Sequence, residues 1–266
     1  MALAQHSSTD VRFQQQVDNS EDYLLPFIQE VLPAREGLRV MEIGCGEGGV
    51  LKTFTARKCQ CLGVDLNSRR IAKANEYFQE EIKAGLASFR TQNVYEDSFR
   101  EEFQAAFDLI ILKDTIEHIP EQEKFIPYIK QFLKDDGFIF FGFPPWRMPF
   151  GGHQQTCKSK VLGMMPYFHL LPMGAYKGFL KAFGETEANV EALVEIKETG
   201  ISLARFERII QESDLKIAKS KHFLFNPIYR FKFGLKPREQ AKWVMAIPYF
   251  KDFFTTAGWY MVHRGK

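Results

Sequence analysis

The fold of this chain is decided by a ten-residue stretch, V-M-E-I-G-C-G-E-G-G at residues 40–49. An apolar strand runs into a cluster of glycines, and a helix is predicted directly afterwards, from Val50 to Lys58. Glycines allow positive φ and let a ligand lie against bare backbone. The start of the helix adds free N–H groups and the positive end of the helix dipole. The stretch therefore predicts a site for a nucleoside-containing ligand.

On both sides of this stretch, apolar runs alternate with amphipathic stretches over residues 37–144, the pattern of parallel strands joined by helical crossovers. We predict five strands, at residues 38–43, 61–65, 88–94, 107–112 and 138–143. Asn67 or Ser68 is predicted to cap the helix after the second strand, and Pro120 to open a helix that ends near Gly137. The pattern indicates an α/β fold with a doubly wound sheet.

The character of the sequence changes after the fifth strand. Residues 146–184 are rich in Phe, Met, Pro and Gly, and all of their charges are positive, so we interpret them as a lid. A helical pattern returns at residues 201–212, followed by predicted closing strands at 215–225 and 258–263. We expect one domain over residues 1–266, with a core at about 37–145, a lid at about 146–200 and the C-terminal helix and closing strands at about 201–266.

Composition limits the classes of function. The 266 residues include 35 Lys and Arg against 33 Asp and Glu, and this balance argues against a nucleic-acid binder, whose phosphate contacts need a basic excess. The four cysteines lack the paired spacing of a zinc site and are too few for a disulfide scaffold, which favours a reducing compartment. Residues 1–10 lack the pattern of a signal peptide, and the longest uncharged stretch, residues 161–176, is too short to span a bilayer. We expect a soluble, cytoplasmic protein.

Two carboxylates narrow the choice of ligand. Gly44, Gly46 and Gly49 also satisfy the dinucleotide pattern GxGxxG, so the glycines alone leave NAD and other nucleoside cofactors open. Asp65 follows the second strand, about twenty residues after the glycines, where a carboxylate accepts hydrogen bonds from both ribose hydroxyls. Glu42 lies on the first strand, at a position that is usually apolar in dinucleotide folds. A carboxylate there suits a cationic ligand.

These residues resemble a known family, the class I S-adenosylmethionine-dependent methyltransferases. The first motif of that family is an acidic residue, one spacer and GxGxG, which residues 42–48 match in full. The resemblance spans about Leu38 to Pro144, and it continues through residues 63–66, 107–111, 116–119 and 133–137, the last of these before the fifth strand. It implies a Rossmann-like sheet, mostly parallel with an antiparallel last strand, and helices on both faces. It also implies S-adenosylmethionine as cofactor, with S-adenosylhomocysteine as product.

The resemblance further implies which residues hold the cofactor. Asn93 takes the place of the usual Asp that binds the adenine amino group, Val94 and Leu66 pack on the two sides of the adenine ring, and Lys113 lies beside the methionine part. The predicted cofactor-binding residues are Glu42, Gly44, Cys45, Gly46, Asp65, Leu66, Asn93, Val94 and Lys113.

Two histidines are the candidate catalytic residues, because an acceptor hydroxyl or acidic carbon must lose a proton and histidine suits that role near neutral pH. His118 follows the fourth strand and His153 follows the fifth, at the sheet edge where ligands bind; bracing of a loop is the alternative role of each. Asp114-x-x-Glu117-His118 also resembles the metal-binding spacing of some quinone-precursor O-methyltransferases of this fold. Carboxylates beside a histidine are an ordinary surface pattern, and we expect no metal.

The lid is predicted to hold the acceptor, through Trp146, Phe150 and Tyr167, and contact with a membrane surface is its alternative role. The basic and aromatic run at residues 216–238 is interpreted as a strand with a core face and a solvated face. We expect methyl transfer to a small, partly apolar molecule, with O-methylation slightly ahead of C- or N-methylation. A non-catalytic cofactor-binding protein and an NAD-dependent oxidoreductase are the alternatives, and the oligomeric state stays open.

Overall fold

The computed structural model describes residues 9–265, so most of residues 1–10, where no signal peptide is expected, lies outside it. The strands are β1 (Arg39–Ile43), β2 (Gln60–Asp65), β3 (Ala87–Thr91), β4 (Phe107–Lys113), β5 (Leu133–Phe143), β6 (Leu215–Phe225), β7 (Arg238–Glu239) and β8 (Ala257–Arg264). They form one sheet in the order β3-β2-β1-β4-β5-β8-β6-β7. Strands β1 to β5 are parallel, and β8 lies antiparallel between β5 and β6. The predicted fold class is confirmed.

Thirteen α-helices surround the sheet within the described part of the chain. They are α1 (Thr9–Asn19), α2 (Leu25–Gln29), α3 (Gly49–Thr55), α4 (Ser68–Tyr77), α5 (Gln79–Lys83), α6 (Asp97–Phe103), α7 (Gln122–Ile129), α8 (Lys160–Met164), α9 (Met173–Ala182), α10 (Glu187–Thr199), α11 (Leu203–Glu212), α12 (Ile228–Phe233) and α13 (Lys242–Met245). A π-helical turn, Ser20–Leu24, joins α1 to α2, and short 3-10 turns occupy Ile116–His118, Lys130–Phe132, Gln154–Thr156, Phe168–Leu170 and Lys251–Phe254. None of the helices in residues 9–265 is both long and apolar enough to cross a membrane.

Successive side chains of the central strands enter two different cores, because neighbouring residues of a strand point to opposite faces of the sheet. On β4, Ile110 and Leu112 belong to the core that is covered by α6, α7 and α11. Leu109 and Ile111 belong to the core that is covered by α2, α3 and α4. With both faces buried, the parallel strands read as continuous apolar runs, and their carboxyl ends form one common edge.

Two local predictions around α7 are wrong. Pro120 lies before the helix, which begins at Gln122 and ends at Ile129, well short of Gly137. Residues 133–137 already belong to β5, because Leu133 pairs with Phe107 ahead of an irregularity in the β4–β5 register. By contrast, Asn67 caps α4 as predicted, with its side-chain oxygen accepting hydrogen bonds from two backbone N–H groups of the first turn.

The predicted lid folds into short helices with a small core of their own. Seven buried side chains of α8, α9, α10 and the turn before α9 form this core: Leu162, Phe168, Tyr176, Leu180, Val190, Leu193 and Val194. The buried ring of His169 connects it to the end of β5, because its Nε2 donates to the Trp146 carbonyl, 2.8 Å away. The division of the chain into core, lid and C-terminal part stays a prediction.

Candidate active site

The glycine loop follows β1 directly and leads into α3. Its first two N–H groups, from Gly44 and Cys45, both donate to the Val64 carbonyl at the end of β2. A Cβ on Gly44 would lie 2.6 Å from the Thr115 side chain, so only glycine fits there. Gly46 also has positive φ, +56°, but a Cβ there would meet nothing closer than Arg70 at 3.9 Å. The backbone of the loop at Gly46 is therefore open to the space around it.

Two adjoining cavities open along this loop at the carboxyl edge of the sheet. The larger has a volume of about 630 Å³ and the smaller about 180 Å³, and both are lined by Gly44, Arg70 and Asp114. All nine residues predicted to bind the cofactor line one cavity or both. Glu42, Gly44, Cys45, Gly46 and Lys113 line the smaller cavity, and Gly44, Asp65, Leu66, Asn93 and Val94 line the larger one.

Polar groups of the larger cavity stand at the ends of β2 and β3. The Asp65 carboxylate accepts hydrogen bonds from the backbone N–H groups of Gly46, at 2.9 Å, and Asn67, at 2.8 Å. A carboxylate offers about four lone-pair sites, so Asp65 can accept further bonds from a ligand. The Asn93 side-chain oxygen accepts from the Tyr95 N–H at 3.0 Å. This turn ends β3 earlier than predicted, and it leaves the Asn93 amide at the cavity wall.

The smaller cavity carries charges of both signs. Glu42 is buried, and its Oε2 has no hydrogen-bond partner among the described residues. Burial raises the pKa of Glu42 well above its usual range, and Lys113 opposes this increase. Lys113 itself forms an ion pair with Asp114. An amino-acid zwitterion, with one ammonium and one carboxylate group, matches this arrangement of charges.

Three basic residues at the smaller cavity were not predicted from the sequence, and one of them is Arg70 of α4. Arg12 reaches it from α1, where it also forms an ion pair with Glu47 at 3.4 Å, and Lys232 reaches it from α12. Burial lowers the pKa of Lys232. The interpretation of residues 216–238 as one strand is therefore wrong, because β6 ends at Phe225 and the helix α12 follows. Lys232 belongs to the basic run that the sequence shows, whereas no local pattern around Arg12 indicates a binding residue.

The structure brings the two predicted catalytic histidines together. His118 lines the larger cavity, and its ring stacks on that of His153 with centroids 4.9 Å apart. Desolvation lowers the pKa of both rings, that of His153 to about 4. Both imidazoles are therefore neutral at pH 7, which leaves His118 able to accept a proton.

Glu117 lies beside the histidines. Its carboxyl oxygens are buried and have no hydrogen-bond partner among the described residues. Burial, and then the charge of Asp114, raises its pKa to about 8, so the group is mostly protonated at pH 7. One ligand atom from each of Glu117, His118 and His153 lies within 4.8 Å of the others, a spacing that could hold a metal ion. The expectation of no metal stays a prediction.

The three lid residues predicted to bind the acceptor line neither cavity. The Trp146 ring packs edge-on against His169, with centroids 4.7 Å apart, and a Cβ on Gly200 would touch it. The Tyr167 hydroxyl donates to the Phe253 carbonyl at 3.0 Å, and Phe150 is partly exposed. Trp146 thus fixes the lid to the end of β5, and acceptor binding by the three residues stays a prediction.

Residues 14–157, more than half of the chain, match a family described as "Methyltransferase domain". The chain therefore belongs to the methyltransferase family, and the prediction of a class I S-adenosylmethionine-dependent methyltransferase is confirmed. The matched residues include the glycine loop, both carboxylates and both histidines.

Curated relatives share part of the chain. The Ubiquinone biosynthesis O-methyltransferase of Leptothrix cholodnii is 24% identical over 116 residues, which are 44% of this chain and 48% of that protein. The protein of the same name from Actinobacillus pleuropneumoniae serotype 5b is 30% identical over 121 residues, 44% of this chain and 50% of that protein. The chain spans about half the length of the curated relatives it matches.

Solved structures share the fold over nearly the whole chain. Geranyl diphosphate C-methyltransferase from Streptomyces coelicolor A3(2), in complex with Mg²⁺, geranyl diphosphate and S-adenosyl-L-homocysteine, superposes with a TM-score of 0.56 at 14% identity, covering 92% of this chain and 80% of that one. A [4+2]-cyclase superposes with a TM-score of 0.54 at 12% identity, covering 92% and 80%. Because one fold carries both names, the reaction must be argued from the site.

Proposed function

We propose that this chain binds S-adenosylmethionine and transfers its methyl group to a small, partly apolar acceptor. The observation that carries the proposal is the pair of carboxylates on neighbouring strands, Glu42 and Asp65, on the two sides of the glycine loop. Asp65 faces the larger cavity, whose mainly apolar wall suits a nucleoside. Glu42 faces the smaller cavity, whose mixed charges suit the amino-acid end of the cofactor.

The same charges disfavour NAD as the ligand. A dinucleotide places its pyrophosphate against the glycine loop at the start of the helix. Here the space beside the loop is small and contains the carboxyl groups of Glu42 and Asp114 together with basic side chains, a mixed set of charges that suits a zwitterion better than a pyrophosphate. The unpartnered oxygen of Glu42 can instead accept a hydrogen bond from an ammonium group, while Arg12 and Lys232 can pair with a carboxylate.

Oxygen is the favoured acceptor atom, and the names of the curated relatives support this choice. Because the methyl group of S-adenosylmethionine is already activated, the protein mainly has to align the acceptor oxygen with the sulfur–methyl bond and exclude water. The oxygen–methyl bond forms as the sulfur–methyl bond breaks, and the hydroxyl proton goes to His118. Glu117, mostly protonated at pH 7, cannot be that base.

Binding and transfer are tested separately. Calorimetry with S-adenosylmethionine, S-adenosylhomocysteine and NAD should show binding of the first two only; binding of NAD alone would identify an oxidoreductase instead. Transfer of a radiolabelled methyl group is then measured with phenols that carry or lack an apolar tail. His118→Asn should lower kcat at unchanged cofactor affinity, whereas His263→Asn, on β8 and outside both cavities, should change neither. Cofactor binding without transfer to any phenol or extract fraction would favour the non-catalytic alternative.

A further inference from the structure

The connection between β6 and β8 lies at the same sheet edge as the two cavities. In the antiparallel pair of β6 and β8, Phe223 stands opposite Ala257 near the end of β6. Gly258 stands opposite Phe143, the last residue of β5. Since the carboxyl ends of β1, β4 and β5 point to the same side, residues 226–256 flank the candidate active site. Helix α12 in this connection already contributes Lys232 to the smaller cavity.

The second half of this connection has one buried and one exposed apolar face. Val244 is buried, and Met245 packs against the core under α7 and α11. Five large apolar side chains of this half are exposed, and we name them together the aromatic surface: Trp243, Ile247, Tyr249, Phe250 and Phe254. Trp243 is 69% exposed and Tyr249 67% exposed, values far above those of rings that complete a core. Exposed apolar patches of this kind mark interaction sites.

Specific contacts hold this segment in place. The rings of Phe250 and Phe254 lie 4.9 Å apart. The Arg147 guanidinium of the lid lies 5.8 Å from the centre of the Tyr249 ring, which connects the aromatic surface to the lid. The Lys251 ammonium pairs with Glu207 of α11 at 2.8 Å. The exposed rings of the aromatic surface therefore belong to a segment that is held in place by contacts with the lid and with α11.

The exposed charge around the aromatic surface is positive. Lys236, Arg238 and Lys242 are exposed, and none of them has a carboxylate partner among residues 9–265. The two acidic side chains of the same stretch are engaged, because Glu239 forms an ion pair and Asp252 is buried. The pairing of outward rings with uncompensated cations is typical of a side that contacts an apolar, negatively charged partner.

We propose that the aromatic surface binds the interface of a lipid bilayer that contains anionic lipids. Trp and Tyr rings favour the headgroup level of a bilayer, and exposed Lys and Arg side chains are attracted to its anionic lipids. Neither interaction requires a groove of defined shape, which agrees with rings that project from a short helix and a turn. The role of this contact rests on the proposed function. An apolar acceptor dissolved in the bilayer would reach the chain at the sheet edge where the two cavities open.

Vesicle cosedimentation tests this proposal without any assay of methyl transfer. The full chain should sediment with vesicles of phosphatidylcholine and phosphatidylglycerol, should not sediment with phosphatidylcholine alone, and should be released by added salt. Combining Lys236→Glu with Lys242→Glu should weaken binding by more than about tenfold, since each cation near such a surface contributes about fivefold. Combining Trp243→Ala with Tyr249→Ala should weaken binding by about tenfold or more.

The matched control is Lys58→Glu, an exposed lysine at the amino edge of the sheet, which should bind vesicles like the wild type. S-adenosylhomocysteine affinity should stay unchanged in every variant, because none of the altered residues lines a cavity. The proposal is overturned if the wild type ignores anionic vesicles, binds neutral vesicles equally well, or keeps full binding in both double variants. Self-association that Trp243→Ala abolishes, without vesicle binding, would assign the surface to a second copy of the chain.

Discussion

Replacing Asp65 with alanine tests the assignment of the nucleoside to the larger cavity. Two sites of the Asp65 carboxylate are occupied by the N–H groups of Gly46 and Asn67, so the remaining sites are available for the ribose hydroxyls. A hydrogen bond to a charged group contributes roughly 1.5–3 kcal/mol. Asp65→Ala should therefore weaken binding of S-adenosylhomocysteine about ten- to a hundred-fold, which is the same free energy expressed as a dissociation constant.

Asp108→Ala is the matched control for this experiment. The Asp108 carboxylate also accepts a backbone N–H, from Arg39 at 2.8 Å, and pairs with Lys134 at 2.8 Å, but it stands near the amino end of β4 and lines neither cavity. Calorimetry should show unchanged cofactor affinity for Asp108→Ala, while thermal denaturation should show a free energy of unfolding that is lower by about 1 kcal/mol. Normal binding by Asp65→Ala, or equal weakening by both variants, would refute the reasoning.

Three further predictions follow from the glycine loop and its neighbours. Because burial raises the pKa of Glu42 and a bound cation would lower it, cofactor binding should release a proton, so affinity should rise as the pH increases through the range in which Glu42 ionises, and Glu42→Gln should remove this dependence; calorimetry in buffers of different ionisation enthalpy measures the proton. Gly46→Ala and Gly37→Ala both place alanine at positive φ, which should lower the free energy of unfolding by about 1–2 kcal/mol. Only Gly46→Ala should also weaken cofactor binding, which calorimetric titration of the two variants measures. Asn67→Ala should lower stability by about 1 kcal/mol, seen as a lower Tm, because the N-cap of α4 is lost; an unchanged Tm would contradict this cap.

The location of the nine residues predicted to bind the cofactor was predictable because they lie at or near strand ends, which are local in the sequence. Once the runs at residues 38–43 and 61–65 are recognised as parallel strands, Glu42 and Asp65 must lie near one edge of the sheet. All nine predicted residues line the two cavities for this reason. The positions of the lid's rings were harder to predict, since Trp146 packs against His169 and such contacts are encoded by no local pattern.

The strands β1 to β5, the glycine loop and the family could all be predicted from the sequence, because apolar periodicity and glycine spacing act over a few residues at a time. The folded structure was needed to show that α1 and α12, more than two hundred residues apart, pack together and bring Arg12 and Lys232 to one cavity. The folded structure also shows that the rings of His118 and His153 stack, and that the side chains of Trp243 and Tyr249 are exposed to solvent. The physical reason is that burial depends on which surfaces meet in the folded chain, and an apolar side chain has the same local pattern whether it is covered or exposed.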